Sequence, residues 1–136
     1  AYREEEREMI PYCQSEGVAI MPWSPIARGF LAGNTTKQGG VTERGKKDVH
    51  IGNYFGSKTD YAILAKVEAA AKKLGVKPAQ IAYAWVLSKP CVTAPIIGAT
   101  KEYQLDEALK SLDIKLDATT IRSLEGAYKP REVMGI

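Results

Sequence analysis

Two short strand candidates, the continuously apolar run 18–21 and the segment 92–97, constrain this chain more than anything else in it. Each is too short for a helix and has no polar alternation. This suits a parallel strand covered on both faces better than a surface strand. Pro22 closes the first run, and Gly98 follows the second. The pattern predicts two parallel strands, each leading into a turn at the end of a sheet where ligands are commonly held.

The rest of the chain supplies helices around them. Charged residues mixed with Met9, Ile10 and Cys13 predict a helix over residues 4–16, stopped by Gly17, with Pro11 kinking it or starting a second turn. The Glu4-Glu5-Glu6 run reads as an exposed face near a helix N-terminus. Residues 34–60 are rich in Gly, Lys and polar residues and have little periodicity, so they read as one long loop. Ile63, Val67, Ala70 and Leu74 form one stripe of a helix over residues 61–74, with Gly75 as its stop. Pro78 opens a further helix that is apolar nearly all round, with Lys77 as a poor N-cap. Leu105, Ala108, Leu109 and Leu112 recur at helical spacing, and Asp117 caps a last helix that carries Ile121 and Leu124 inward. Residues 128–136 form a tail without an element of its own. Alternating strands and helices imply an α/β fold with a parallel sheet, but two strands alone leave both edges open and much apolar surface uncovered. The chain is therefore expected to be part of something larger.

Composition excludes several classes. The chain has 136 residues, a net charge of +3 and Lys and Arg interleaved with Asp and Glu, so no basic face for nucleic acid stands out. No apolar run approaches the ~20 residues of a membrane span. Cys13 and Cys91 form no C-x-x-C pair, which argues against a zinc site or a disulfide scaffold and makes a reducing cytoplasm the expected compartment. The single histidine, His50, lies in the long polar stretch without a metal-ligand partner at helical or hairpin spacing, and reads as solvated. Neither G-x-G-x-x-G nor G-x-x-x-x-G-K-[ST] occurs.

Chemistry concentrates where the two strands end. Trp23-Ser24-Pro25 places an aromatic plane and a hydroxyl there, and Arg28-Gly29 adds a cation and a permissive backbone suited to phosphate. Read more plainly, Trp23 is a core residue at the rim, Ser24 a turn former and Arg28 a solvated loop arginine. Gly98-Ala99-Thr100-Lys101 repeats the arrangement after the second strand: small residues, a hydroxyl and a charge at a helix N-terminus, where free N–H groups attract anions. A plain strand-to-helix connection is the alternative. Taken together, the two stretches suggest a nucleotide held across the ends of two parallel strands.

These stretches also match a known family. The chain resembles the C-terminal part of an aldo-keto reductase. The run from Trp23-Ser24-Pro25-Ile26-Ala27-Arg28-Gly29 to Gly33 looks like the family's seventh barrel strand and following loop. Pro95-Ile96-Ile97-Gly98-Ala99-Thr100-Lys101, continuing to Leu105, looks like its eighth strand and helix. Tyr128-Lys129-Pro130-Arg131-Glu132-Val133-Met134-Gly135 is similar to the tail of bacterial, fungal and plant members related to potassium-channel beta subunits.

The resemblance implies the last two strands and surrounding helices of a (β/α)8 barrel, incomplete as a barrel on its own, with residues 34–60 as a long cofactor-side loop. It implies an extended NADP(H), with Trp23 against the nicotinamide and Ser24, Pro25, Ile26, Ala27, Arg28, Gly29 and Leu31 along the pyrophosphate. Thr100 with Lys101 would hold the 2'-phosphate, Gly98 and Ala99 beside them would also bind the cofactor, and Gln104 and Glu107 would lie at the adenosine end. A hydroxyl and a lysine favour NADP over NAD, because a 2'-phosphate needs donors and compensating charge. One departure is Ala108, where many relatives carry an Asn that contacts adenine.

The family reduces aldehydes and ketones with a Tyr general acid assisted by Lys, Asp and His from the N-terminal half. None of those motifs is present, and Tyr54, Tyr61, Tyr83 and Tyr103 lie in segments that do not match them. No catalytic residue is thus assigned, and the chain alone is expected to be inactive. The expected partners are a small carbonyl substrate in the intact enzyme and the missing N-terminal half, with neither nucleic acid nor membrane. The alternatives are an NADPH-sensing or regulatory module like the channel beta subunits, or a structural half that complements a separate N-terminal chain.

Overall fold

The computed structural model describes residues 1–33, 35–36, 39–40 and 54–133. His50 and most of the long polar stretch, with Met134, Gly135 and Ile136, lie outside them. A 3-10 turn at Glu4–Glu6 precedes helix α1 (Met9–Ser15), and the kinked 3-10 segment Ala27–Ala32 follows. A two-residue antiparallel ladder joins β1 (Thr35–Thr36) to β2 (Gly39–Gly40). Then come α2 (Lys58–Leu74), α3 (Pro78–Leu87), α4 (Glu102–Lys110), a 3-10 turn at Ser111–Asp113 and α5 (Ala118–Glu125).

Helix α1 begins just before Pro11, as a second turn distinct from Glu4–Glu6. Proline is tolerated in a first helical turn, where its missing N–H has no intrahelical partner to lose. Helix α2 starts three residues inside the stretch read as loop. Ser57 Oγ accepts from Asp60 N at 3.1 Å, and Asp60 Oδ2 accepts from Ser57 N at 3.1 Å, so a reciprocal capping box sets the start at Lys58. At its far end Gly75 takes φ 67°, and Val76 N donates to Ala71 O at 3.0 Å, satisfying an end carbonyl that would otherwise be orphaned. Lys77 is a weak cap for α3, as expected. Part of the deficit is made up by Gln80, whose Oε1 accepts from Lys77 N at 3.0 Å.

The core lies between α2, α3, α5 and the Ala27–Ala32 segment. It contains Phe30, Leu31, Ile63, Leu64, Val67, Ile81 and Leu124, with alanines at 27, 70, 71 and 82 that let the helices approach closely. Phe30 and Ile81 are the most completely buried apolar side chains. The ring of Phe30 is flanked by Tyr61 at 5.3 Å and Phe55 at 6.1 Å between centroids.

The two predicted strands pair in parallel but only as isolated bridges, Ile20 with Val92 and Trp23 with Ile96. The bridges lie three positions apart on the first segment and four on the second, so the register slips by one between them. Pro22 and Pro95 lie in this interval and have no N–H to donate, which breaks the ladder. Nor are the segments covered on both faces: Val18, Met21 and Ile96 are more than half exposed. Of the stripe predicted for the α4 region only Ala108 is buried, while Leu105, Leu109 and Leu112 are exposed.

The acidic run at the N-terminus differs from expectation in one residue. Glu5 and Glu6 are exposed, but Glu4 is buried and holds the tail. Its Oε1 accepts from the Tyr128 hydroxyl and, at 2.9 Å, from Arg131 N, while Oε2 meets Arg7 at 3.2 Å. Burial and the bond to Glu4 push the Tyr128 phenol up to about 12. The same bond from Tyr128, with the Arg131 amide, holds the Glu4 carboxyl below its ordinary value of 4.5. A carboxylate depressed in the folded state contributes stability that is fully present above its unfolded pKa and lost as pH falls through the folded one. The thermal midpoint should therefore drop as pH is lowered below about 4.5, with a shallower drop in Glu4→Gln. Parallel profiles for the two proteins in differential scanning calorimetry would remove Glu4 as a source of acid sensitivity.

Candidate functional site

Parallel pairing decides the site, because both segments leave the bridges at the same end. Thr93 N donates to Ile20 O at 2.9 Å and Ile96 N to Pro22 O at 2.8 Å. Beyond the second bridge the chains continue as Trp23-Ser24-Pro25 and Ile97-Gly98-Ala99-Thr100. Residues 72 or more positions apart in sequence thus share one end of the paired strands.

The first wall is a turn under backbone strain. Ser24 (φ 51°), Ala27 (φ 50°) and Arg28 (φ 56°) all occupy the left-handed region, followed by Gly29 at φ 100°. Each non-glycine residue there costs about 1–2 kcal/mol. Such conformations persist only where the surroundings over-determine them, and they cluster at ligand-holding sites. Here the amides of Ala27, Gly29 and Leu31 donate to Ser24 O (2.8 Å), Ile26 O (3.0 Å) and Ile26 O (3.1 Å), while Ala27, Phe30 and Leu31 are anchored in the core. Trp23 is not a core residue: it is 62 % exposed, with the Arg28 guanidinium 5.7 Å from its ring centroid. Ser24, Pro25, Ile26 and Gly29 are half-buried around it. Leu31, expected along the same path, turns its side chain into the core.

The second wall is the N-terminus of α4. Gly98, Ala99, Thr100 and Lys101 are all exposed, and a Cβ placed on Gly98 would meet nothing within 4 Å, so the backbone there is open to a bulky group. Gln104 Oε1 accepts from Thr100 N (2.8 Å), Thr100 Oγ1 (3.2 Å) and Lys101 N (3.2 Å), which fixes the turn before the helix. Glu107 pairs with Lys77 Nζ at 2.6 Å, and its carbonyl accepts from Gln80 Nε2 at 3.2 Å, tying α4 to α3. The bond to Glu107 holds the Lys77 ammonium above its ordinary range. Ala108 is buried against this junction. Thus Gln104 has a structural duty at the helix start, and Glu107 has one where α4 meets Lys77 and α3.

An exposed aromatic plane, a guanidinium over it, a strained turn and a glycine-opened helix N-terminus form a surface suited to an extended anionic ligand with a flat ring. The C-terminal end of parallel segments is where α/β folds commonly hold their ligands. Comparison with known proteins is more specific. Residues 1–129 match the aldo/keto reductase family. The chain is 42% identical over 132 residues to versiconal hemiacetal acetate reductase of Aspergillus parasiticus, covering 96% of this chain and 38% of that protein. It is 43% identical over 134 residues to a putative aryl-alcohol dehydrogenase of Schizosaccharomyces pombe, covering 98% and 40%. Among solved structures it is similar to a thermostable aldo-keto reductase, Tm1743, in complex with the inhibitor epalrestat, with a TM-score of 0.64, 27% identity, and coverage of 93% of this chain and 36% of that one. The chain belongs to the aldo/keto reductase family, whose members generally carry out NAD(P)H-dependent carbonyl reduction. It spans about two fifths of the length of the curated relatives it matches.

No helix among the described residues is long and apolar enough to cross a membrane.

Proposed function

We propose that this chain is the cofactor-holding C-terminal part of an aldo-keto reductase barrel, contributing its last two strands and the helices around them. The observation that carries the reading is the parallel pairing of residues 20–23 with 92–96, which brings the Trp23 turn and the Thr100 helix start to one end. The exposed apolar edges of that pair suit strands supplied by an N-terminal half.

In this reading the cofactor is NADPH, which when bound supplies a hydride to the carbonyl carbon of an aldehyde or ketone. Trp23 offers its exposed face to the nicotinamide and keeps water from that side of the ring. The backbone of residues 24–29 lines the pyrophosphate path, with Arg28 as compensating charge, while the Leu31 side chain anchors the turn in the core. Gly98 and Ala99 let the backbone come close to the 2'-phosphate, Thr100 donates a hydroxyl, and Lys101 supplies an ammonium at a helix end already biased toward anions. Gln104 and Glu107 border the adenosine. The proton for the carbonyl oxygen, and the Tyr, Lys, Asp and His that manage it, come from the N-terminal half. The carbonyl substrate is contacted mainly there.

Two measurements test this. Titrating the full-length protein with NADPH should quench tryptophan fluorescence, and Trp23→Phe should abolish most of that quench. The 136-residue chain assayed alone with NADPH and an aldehyde should show no turnover. Turnover comparable to the full-length protein would place the chemistry in this chain and defeat the proposal.

A further inference from the structure

The strained turn is held from a direction unrelated to its ligand. Arg131, in the tail, donates from Nη1 to the Tyr54 carbonyl at 3.2 Å and from Nη2 to Asp60 Oδ1 at 3.2 Å. Asp60 is almost wholly buried, and its other oxygen accepts from Gly56 N, Ser57 N and Ser57 Oγ. One guanidinium thus spans both ends of the segment 54–60, while its own backbone N–H is held by Glu4. Phe55 belongs to this segment and Tyr61 directly follows it, and their rings flank Phe30. Phe30 in turn follows Arg28 and Gly29, the last two of the turn's four residues with positive backbone angles.

We propose that Arg131 is a positioning residue for the turn at residues 24–31, acting through the 54–61 segment and the Phe30 ring. The chain of contact is continuous: guanidinium to Tyr54 carbonyl and Asp60 carboxylate, Phe55 and Tyr61 to Phe30, Phe30 to the turn. A turn that holds several residues in a disfavoured conformation depends on its supports, so loosening one shifts its population. The consequence for NADPH rests on the reading of that turn as its seat; the mechanical coupling does not.

The test compares wild type, Arg131→Ala and Arg131→Lys in the full-length protein, by amide hydrogen exchange without cofactor and by NADPH titration. Arg131→Ala should speed exchange of peptides covering residues 25–33 as well as 54–61, and raise the NADPH dissociation constant about five- to tenfold. Arg131→Lys keeps the ion pair with Asp60 but cannot fork to the Tyr54 carbonyl as well, so it should fall between the two. This milder variant also keeps the test informative if the alanine variant folds poorly. Faster exchange confined to 54–61 and the tail, with 25–33 unchanged in both variants, would overturn the proposal. If 25–33 loosens but wild type binds no NADPH, the coupling stands and the cofactor reading fails.

Discussion

Thr100→Ala combined with Lys101→Ala in the full-length protein is expected to raise the dissociation constant for NADPH about 100-fold, a loss of about 3 kcal/mol. NADH, which lacks the 2'-phosphate, should change by no more than about threefold. Selectivity between the cofactors follows because both side chains are exposed and neither carries the local fold. Gln104 caps the helix start mainly through the Thr100 and Lys101 backbone amides, which alanine retains. The double variant should therefore melt close to wild type, and calorimetric titration with both cofactors reads the site rather than its stability. Raising ionic strength should weaken NADPH more than NADH in wild type and lose that difference in the variant. Equal losses for both cofactors would remove the 2'-phosphate assignment.

Phe30→Ala should destabilise the protein by about 3–5 kcal/mol, the range for deleting a fully buried aromatic side chain. Phe30 is 1% exposed, at the centre of the cluster formed by the Ala27–Ala32 segment with α2 and α3. Truncation removes its apolar burial, leaves a void between the rings of Phe55 and Tyr61, and releases the strained turn beside it. Phe30→Leu, which keeps much of the volume, should cost markedly less. Denaturant unfolding of the three proteins, fitted with a common slope, checks the order. An alanine variant within about 1 kcal/mol of wild type would show that the cluster repacks and that Phe30 is not its keystone.

Helices α2 and α3 were legible because their signals are local: an apolar stripe, a glycine stop, a proline at the first position. The start of α2 was misplaced for an equally local reason, since Ser57 and Asp60 form a cap at Ser-x-x-Asp spacing inside a stretch dominated by polar residues. The acidic run was misread at Glu4 alone, whose burial depends on Tyr128, 124 positions away. No local spacing carries that information. The same holds for Asp60 and Arg131, 71 positions apart. The two apolar runs did pair in parallel, but Pro22 and Pro95 reduced the expected strands to two bridges and shifted their register.

At the site, the sequence alone determined which residue types stand after each strand: an aromatic, hydroxyls, a cation on each wall, and small residues that leave backbone open. Those are consequences of composition at fixed positions. Only the tertiary structure decided that Ser24, Ala27 and Arg28 sit in the left-handed region, that Leu31 faces the core while Trp23 faces outward, and that Gln104 and Glu107 also fasten a helix. Backbone strain and side-chain direction are set by contacts with distant elements. Those contacts exist only once the core has formed, and no pattern of neighbours along the chain encodes them.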